Sequence, residues 1–318
     1  MPSSPFPVNR TYAIIGTGAI GGFYGARLVR AGFDVHFLAR GDYNHIRDHG
    51  LVIDSKDGNF ALPRVNVYNS AADMPACDVV AVALKATANH ILPDVLPAVV
   101  KNNGAVLVMQ NGFGYEEDVA AIVGPDRVLG VLCFICSNKT GPGHIRHLDF
   151  GHITVAQYTN SGAPSGITPL MQDIAGDFTK AGITVRTAPD LATARWKKLV
   201  WNMPYSGLSV VLSALTDTLN KNSYSRGLVE SIMREVCAAA AACGHPIEEE
   251  YIREMLEYTD AMTPYRTSMK IDFDEKRPME VEAIFGNPLR AAKKAGIKVP
   301  LMEMLYRELK FMDDENVK

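Results

Sequence analysis

Short, fully apolar runs recur along the first half of the chain, each long enough for one buried strand of a parallel sheet. Strands are predicted over 12–15, 35–39, 78–84, 105–109 and 128–135, with shorter ones at 144–147, 152–156 and 183–186. Residues 51–67 alternate apolar and polar positions like a hairpin. Between these runs the apolar spacing becomes helical. Phe23, Leu28 and Val29, with small Ala26 and Ala31, form one stripe that Gly32 ends, and 44–50, 88–100 (despite Pro93 and Pro97), 115–123 and 168–181 are further helices. Past residue 189 the strand-like runs stop. Helical periodicity covers 191–203, 208–213, 225–243, 248–261, 280–294 and 301–310, with Gly244, Gly296 and Pro300 read as stops. The pattern therefore predicts an α/β N-terminal Rossmann-type doubly wound sheet over 1–188, followed by an all-helical C-terminal domain over 189–318.

Between the first strand and first helix stands Gly16-Thr-Gly18-Ala-Ile-Gly21. Strand, glycine turn, helix and second strand in this order are the context of a dinucleotide site. The first glycine serves a tight turn, the second lets a pyrophosphate approach the backbone, and the third lets helix and strand pack closely. Gly16, Thr17, Gly18, Ala19, Ile20 and Gly21 are thus the expected phosphate-binding turn, at a helix end whose N–H groups are unpaired. The end of the second strand distinguishes cofactors. An acid there accepts hydrogen bonds from ribose hydroxyls; this chain has Arg40, which suits a 2′-phosphate and favours NADP, with Asp42 two residues further on.

Composition narrows the setting. A length of 318 residues accommodates two domains, and a formal net charge of −3 without basic runs gives no footprint for nucleic acid. No apolar run reaches membrane-spanning length and no signal-peptide core precedes the first strand, so a cytoplasmic protein with a loose leader over 1–10 is expected. Five cysteines fit a reducing compartment. Cys133 and Cys136 have C-x-x-C spacing but lie inside an apolar strand pattern with no second ligand pair, which argues against a metal.

Polar residues that end apolar strands lie beside the crevice of an open sheet, which singles out Lys85 and Asn111. For Asn111-Gly112, turn chemistry is the plainer alternative. In the helical half, Lys198, Asn202 and Ser206 are spaced i, i+4, i+8, so one face carries an amine, an amide and a hydroxyl, flanked by Trp196 and Trp201. Pro204 should kink that helix, and periodicity alone would leave Lys198 in solvent. Glu280 and Glu282 open an apolar helix, where the dipole favours carboxylates; for Glu282 that capping role suffices.

Taken in order, Gly16–Gly21, Arg40, Leu84-Lys85-Ala, Gln110-Asn111-Gly112, Gly141-Pro-Gly-His-Ile with Gly151, Trp196-Lys-Lys198-Leu-Val-Trp-Asn202, Ser268-Met269 and Glu280-Val-Glu-Ala-Ile-Phe-Gly286 resemble the ketopantoate reductase (2-dehydropantoate 2-reductase) family over nearly the whole chain. The resemblance implies NADPH-dependent reduction of a small 2-keto acid, with ketopantoate giving pantoate as the first reading. It implies Lys198 as proton donor and Glu280 as its acidic partner. Asn202 and Ser268 would hold the substrate, Arg40 and Lys85 the cofactor phosphates, and Asn111 would lie beside the nicotinamide. Two positions depart from the pattern: Ser206 stands where many members carry a second asparagine, and Phe285 where better-known members carry an asparagine. Reduction of a different 2-keto acid, and a non-catalytic NADP-sensing role, are therefore the alternatives. The helical half would permit a homodimer.

Overall fold

The computed structural model describes residues 10–316; the expected leader, apart from Arg10, lies outside them. The chain forms two compact units. One comprises the residues up to Gln110 with Tyr115–Leu191, the other Asn111–Gly114 with Ala192–Lys318.

The first unit is built on ten strands: β1 (Thr11–Ile15), β2 (Asp34–Leu38), β3 (Leu51–Ser55), β4 (Phe60–Leu62), β5 (Asn66–Tyr68), β6 (Cys77–Val82), β7 (Val100–Val108), β8 (Val128–Gly141), β9 (His144–Gln157) and β10 (Val185–Thr187). They form one sheet in the order β4-β3-β9-β8-β7-β6-β1-β2-β5, with β10 beside β9. The block β8-β7-β6-β1-β2-β5 is parallel throughout. Its helices are α1 (Ala19–Arg30), α2 (Tyr43–His49), α3 (Leu92–Val99), α4 (Tyr115–Val123) and α5 (Pro169–Lys180).

Alternate residues of each central strand enter opposite layers, as the two-residue period requires. Tyr12 and Ile14 of β1, with Val79 and Ala81 of β6, pack with Phe23 and Leu28 of α1 and Phe178 of α5. Ala13, Ile15, Val80 and Val82 pack instead with Val95, Leu96 and Val99 of α3 and Val119 of α4. Both faces are covered, which is why these strands read as unbroken apolar runs.

Several strand boundaries differ from the sequence expectation, β7 among them, which begins at Val100 rather than 105. The pieces at 144–147 and 152–156 are one strand, β9, antiparallel to a β8 that continues to Gly141. Polar residues interrupt the apolar pattern midway, and the ribbon absorbs the irregularity through positive φ at Phe150 and Gly151 (58° and 114°) and shifts of register. The stretch 51–67 is not a single hairpin: β3 and β4 pair antiparallel, whereas β5 runs parallel to β2 at the other end of the sheet. The last strand is Val185–Thr187, shifted from 183–186.

The second unit is helical: α6 (Leu191–Val211, its first residue still in the first unit), α7 (Thr216–Lys221), α8 (Ser223–Ala242), α9 (Glu250–Ala261), α10 (Ser268–Asp274), α11 (Asn287–Lys294) and α12 (Pro300–Asn316). The expected pieces 191–203 and 208–213 are one helix that runs through Pro204. The 280–294 helix opens instead as a π turn, Glu282–Gly286, before α11. Pro300 begins α12 rather than stopping a helix, in keeping with proline's fit at a first helical position. The short helices α7 and α10 escaped periodicity analysis because neither completes two full turns.

Two polar ties brace the start of β1. Arg10 is buried, not loose: its Nε lies 2.6 Å from Asp177 Oδ2, and Tyr12 donates to the same oxygen at 2.7 Å. Asp78, on β6, accepts from Thr11 N at 2.9 Å and Thr11 Oγ1 at 2.8 Å, and Lys101 Nζ lies 2.9 Å from its other oxygen. Burial pushes the Asp78 pKa up, but the Thr11 bonds and the Lys101 ammonium outweigh it and hold the carboxyl below its ordinary value. A depressed native pKa stabilises the fold above the unfolded value of about 3.9, and that contribution is lost as pH falls through the lower native one. Asp78→Asn is expected to cost about 1–3 kcal/mol at pH 7. Urea titrations of both proteins should show this gap narrowing as the pH drops below about 4.

Candidate active site

The glycine turn follows β1, and each glycine has its own reason. Gly16 has φ of +100°, and a Cβ there would meet the Leu84 backbone nitrogen at 2.7 Å. A Cβ on Gly21 would lie 2.1 Å from the Gly16 carbonyl oxygen and 2.8 Å from Ile14, so α1 crosses β1 only because that carbon is missing. Gly18, the residue capping α1, faces open space, with no atom within 4 Å of an added Cβ. The Gly16 N–H (3.3 Å) and Thr17 hydroxyl (3.2 Å) both donate to the Leu38 carbonyl, which locks the turn onto the end of β2.

The turn lines a pocket of ≈ 230 Å³ with Gly16, Thr17, Gly18, Arg40, Asp42 and Lys139 in its wall, together with apolar Leu84, Ala88 and Ile91. Arg40 is exposed, and its guanidinium has no protein partner among the described residues. An open backbone beside Gly18, a helix N-terminus and a cation at the strand end are the features that an adenine dinucleotide with a 2′-phosphate requires. Lys85 is exposed where the chain leaves β6 and opens a 3-10 turn, Ala86–Ile91. The ends of β6 and β7 are tied by Gln110, whose Nε2 donates to the Leu84 carbonyl (2.9 Å) and to Asn89 Oδ1 (2.6 Å).

In the helical unit, Lys198, Asn202 and Ser206 form the expected row on α6, and all three are buried. Lys198 is 5% exposed, which overturns the solvated position that periodicity alone implied. Its Nζ donates to Asn111 Oδ1 at 2.7 Å. Asn111–Gly114 belongs to this unit: Phe113 N donates to the Ala283 carbonyl (3.0 Å), Asn287 Nδ2 donates to the Phe113 carbonyl (2.7 Å), and the Phe113 ring lies against Trp196. Gly112 has φ of +106° and no room for a Cβ beside Ala283. Turn chemistry therefore explains the glycine, while the asparagine amide meets the lysine. Trp201 donates its Nε1 to Thr259 Oγ1 at 2.9 Å.

Glu280 is 7% exposed, and its carbonyl accepts from Ile284 N at 3.2 Å, just where the helix widens into the π turn. Such turns push a side chain out of helical register and recur at functional sites. Glu282 does not cap a helix. It bridges Arg290 Nη1 and the Tyr306 hydroxyl, each at 2.8 Å; burial raises its pKa, but these partners hold it below the ordinary value. Ser268 is half-buried at the start of α10, whose capping residue Thr267 accepts from Lys270 N. Phe285 is fully buried, with its ring tip 3.0 Å from where a Gly207 Cβ would stand.

The comparisons with known proteins bear on both units. The family model described as ketopantoate reductase PanE/ApbA matches residues 12–160, and its C-terminal companion matches 190–313. The chain belongs to this ketopantoate reductase family. Among curated relatives, a 2-dehydropantoate 2-reductase of Nostoc is 55% identical over 97% of both chains. Solved structures described as 2-dehydropantoate 2-reductase include that of Geobacter metallireducens, at 40% identity and a TM-score of 0.91, covering 95% of this chain and 99% of its own. The Methylococcus capsulatus structure follows at 34% and 0.85, covering 97% and 98%.

Against this ketopantoate reductase frame, local motifs missed residues that reach the site from far along the chain. Lys139 comes from the β8–β9 ribbon, two residues before Gly141 ends β8, and the Gly141-Pro-Gly motif beside it was the one local signal. Gln110 lies within the Gln110-Asn111-Gly112 motif, but its role as a tie follows only from the strand order. The glycine turn yields a ligand-free test. Gly21→Ala should lower stability by about 1–3 kcal/mol through overpacking, while Gly18→Ala should stay within about 0.5 kcal/mol. Thermal unfolding of the two variants should separate them.

Proposed function

We propose that this chain reduces 2-dehydropantoate to pantoate with NADPH, the step that feeds pantothenate synthesis. The observation that carries the reading is a buried lysine amine, Lys198 Nζ, held 2.7 Å from Asn111 Oδ1 and in one row with Asn202 and Ser206. Burying an ammonium costs several kcal/mol unless its donors are satisfied, so a chain retains one where it serves a purpose. NADPH, when bound, supplies the hydride to the keto carbon. Negative charge then builds on the keto oxygen; the Lys198 ammonium stabilises it and delivers the proton. Glu280, Lys198's acidic partner in this reading, would set the amine's position and its readiness to release that proton. Asn202 and Ser206 present an amide and a hydroxyl with no side-chain partner among the described residues, free for substrate hydroxyl and carboxylate groups, and Ser268 adds another hydroxyl. In the first domain, Gly16–Gly21 cradles the pyrophosphate, Arg40 takes the 2′-phosphate and Lys85 a further cofactor phosphate. Asn111 would serve both the amine and the nicotinamide.

Residues 1–188 thus act as the NADP-binding domain and 189–318 as the substrate and catalytic domain. A cytoplasmic setting belongs to the reading, supported by five cysteines that form no disulfide among the described residues; so does a homodimer, supported by exposed Tyr224 and Phe311 on the helical unit. No helix among the described residues is long and apolar enough to cross a membrane. One observation favours a second reading, a different small 2-keto acid: Ser206 is shorter than asparagine, and Phe285 fills its space with an apolar ring. An NADP sensor without turnover would have no use for the buried amine.

Lys198→Ala should lower kcat by about 10²–10⁴-fold with NADPH binding nearly intact. NADPH oxidation against 2-dehydropantoate, with cofactor affinity measured separately by fluorescence, tests this, and wild-type turnover in the variant would overturn the assignment. Ser206→Asn should change the efficiency on 2-dehydropantoate by about tenfold or more, since a buried group gaining or losing its partner is worth about 1–3 kcal/mol. An unchanged panel of 2-keto acids would place Ser206 outside the site.

A further inference from the structure

An acid lies in the wall of the dinucleotide pocket. Asp42 stands two residues beyond Arg40, in the same wall as the glycine turn. A carboxylate near the end of β2 is what a 2′-hydroxyl cofactor calls for, and it repels a 2′-phosphate. The geometry accounts for its presence. Asp42 precedes α2 but does not cap it with its side chain. Its carboxylate turns instead to the β8–β9 ribbon, where Oδ2 lies 2.6 Å from Lys139 Nζ and accepts from Gly143 N at 3.2 Å. The Asp42 side chain is 13% exposed while that of Lys139 is 39% exposed, so the ammonium remains open to the pocket it lines.

We propose that Lys139 determines cofactor specificity: it neutralises Asp42 and adds a second cation beside Arg40, so that a 2′-phosphorylated dinucleotide is preferred over its 2′-hydroxyl counterpart. The assignment rests on the NADPH reading above. Its signature is a change of opposite sign for the two cofactors. Without Lys139 the pocket loses a partner for the phosphate, and it also gains an unpaired carboxylate that repels phosphate and accepts from ribose hydroxyls. A lysine that merely props the ribbon would, on removal, weaken both cofactors alike.

The test is fluorescence titration of NADPH and NADH into wild type, Lys139→Met, Lys139→Gln, Lys139→Arg and the double variant Lys139→Met with Asp42→Asn, at one ionic strength and after thermal unfolding has confirmed each fold. The NADPH-to-NADH affinity ratio should fall by about tenfold or more in the Met and Gln variants, the scale of one lost charge-assisted contact. It should hold in Lys139→Arg and recover in part in the double variant, where the carboxylate is gone. An unchanged ratio in Lys139→Met and Lys139→Gln, or equal weakening of both cofactors, overturns the assignment and leaves the NADPH reading standing. A wild-type protein that binds the two cofactors equally overturns both.

Discussion

No carbon fits between Gly21 and the carbonyl of Gly16, and the first unit depends on that near-contact. Because α1 can lie against β1 there, its N-terminus points at the space beside Gly18, and Phe23 and Leu28 reach the layer formed by Tyr12 and Ile14. The same crossing sets the end of β2, since Gly16 and Thr17 both bond the Leu38 carbonyl. Arg40 and Asp42 follow within four residues. Pocket position and fold are therefore one constraint seen from two sides: a side chain at Gly21 would separate helix from strand and displace the glycine turn with it.

The helical unit is organised around a different cost. A lysine, an asparagine and a serine are buried along one face of α6, where apolar residues would give more stability. The surrounding structure offsets this by fixing groups rather than removing them. Asn111 accepts from Lys198, Trp201 is anchored on Thr259, and Ser209 is bonded to Thr267 at 2.7 Å, beside the start of α10. Rigid neighbours keep buried polar groups aimed where a ligand can use them.

Much of the first unit was legible because local and global preferences agree: 12–15, 115–123 and the glycine turn each carry their own signal. The errors have physical sources. Polar residues at 137–140 and at 146, 147 and 149 hid the continuity of the long antiparallel ribbon, because that part of the ribbon lacks an unbroken apolar run. Pro204 looked like a break, yet α6 continues through it, since packing of the buried residues on either side outweighs one missing hydrogen bond. Lys198 shows the limit of periodicity: its spacing is that of a solvated lysine, and only its neighbours from another segment, Asn111 among them, reveal burial. Lys139 beside Asp42 is the same lesson at a separation of nearly a hundred residues.

The helical unit is not a continuous piece of chain, and this limits how the protein can be divided. Asn111–Gly114 supplies the Phe113 amide that meets the Ala283 carbonyl, the carbonyl that receives Asn287, the ring beside Trp196 and the oxygen that receives Lys198. A fragment cut at the boundary near residue 190 would keep every helix and lose all four contacts. It would leave a buried amine and a buried carbonyl short of partners, together with a bare face on Trp196 that water must cover. The piece that resembles a separable domain in the linear sequence is thus completed by a short peptide inherited from the other half, and grafting or expressing it alone would require carrying that peptide along.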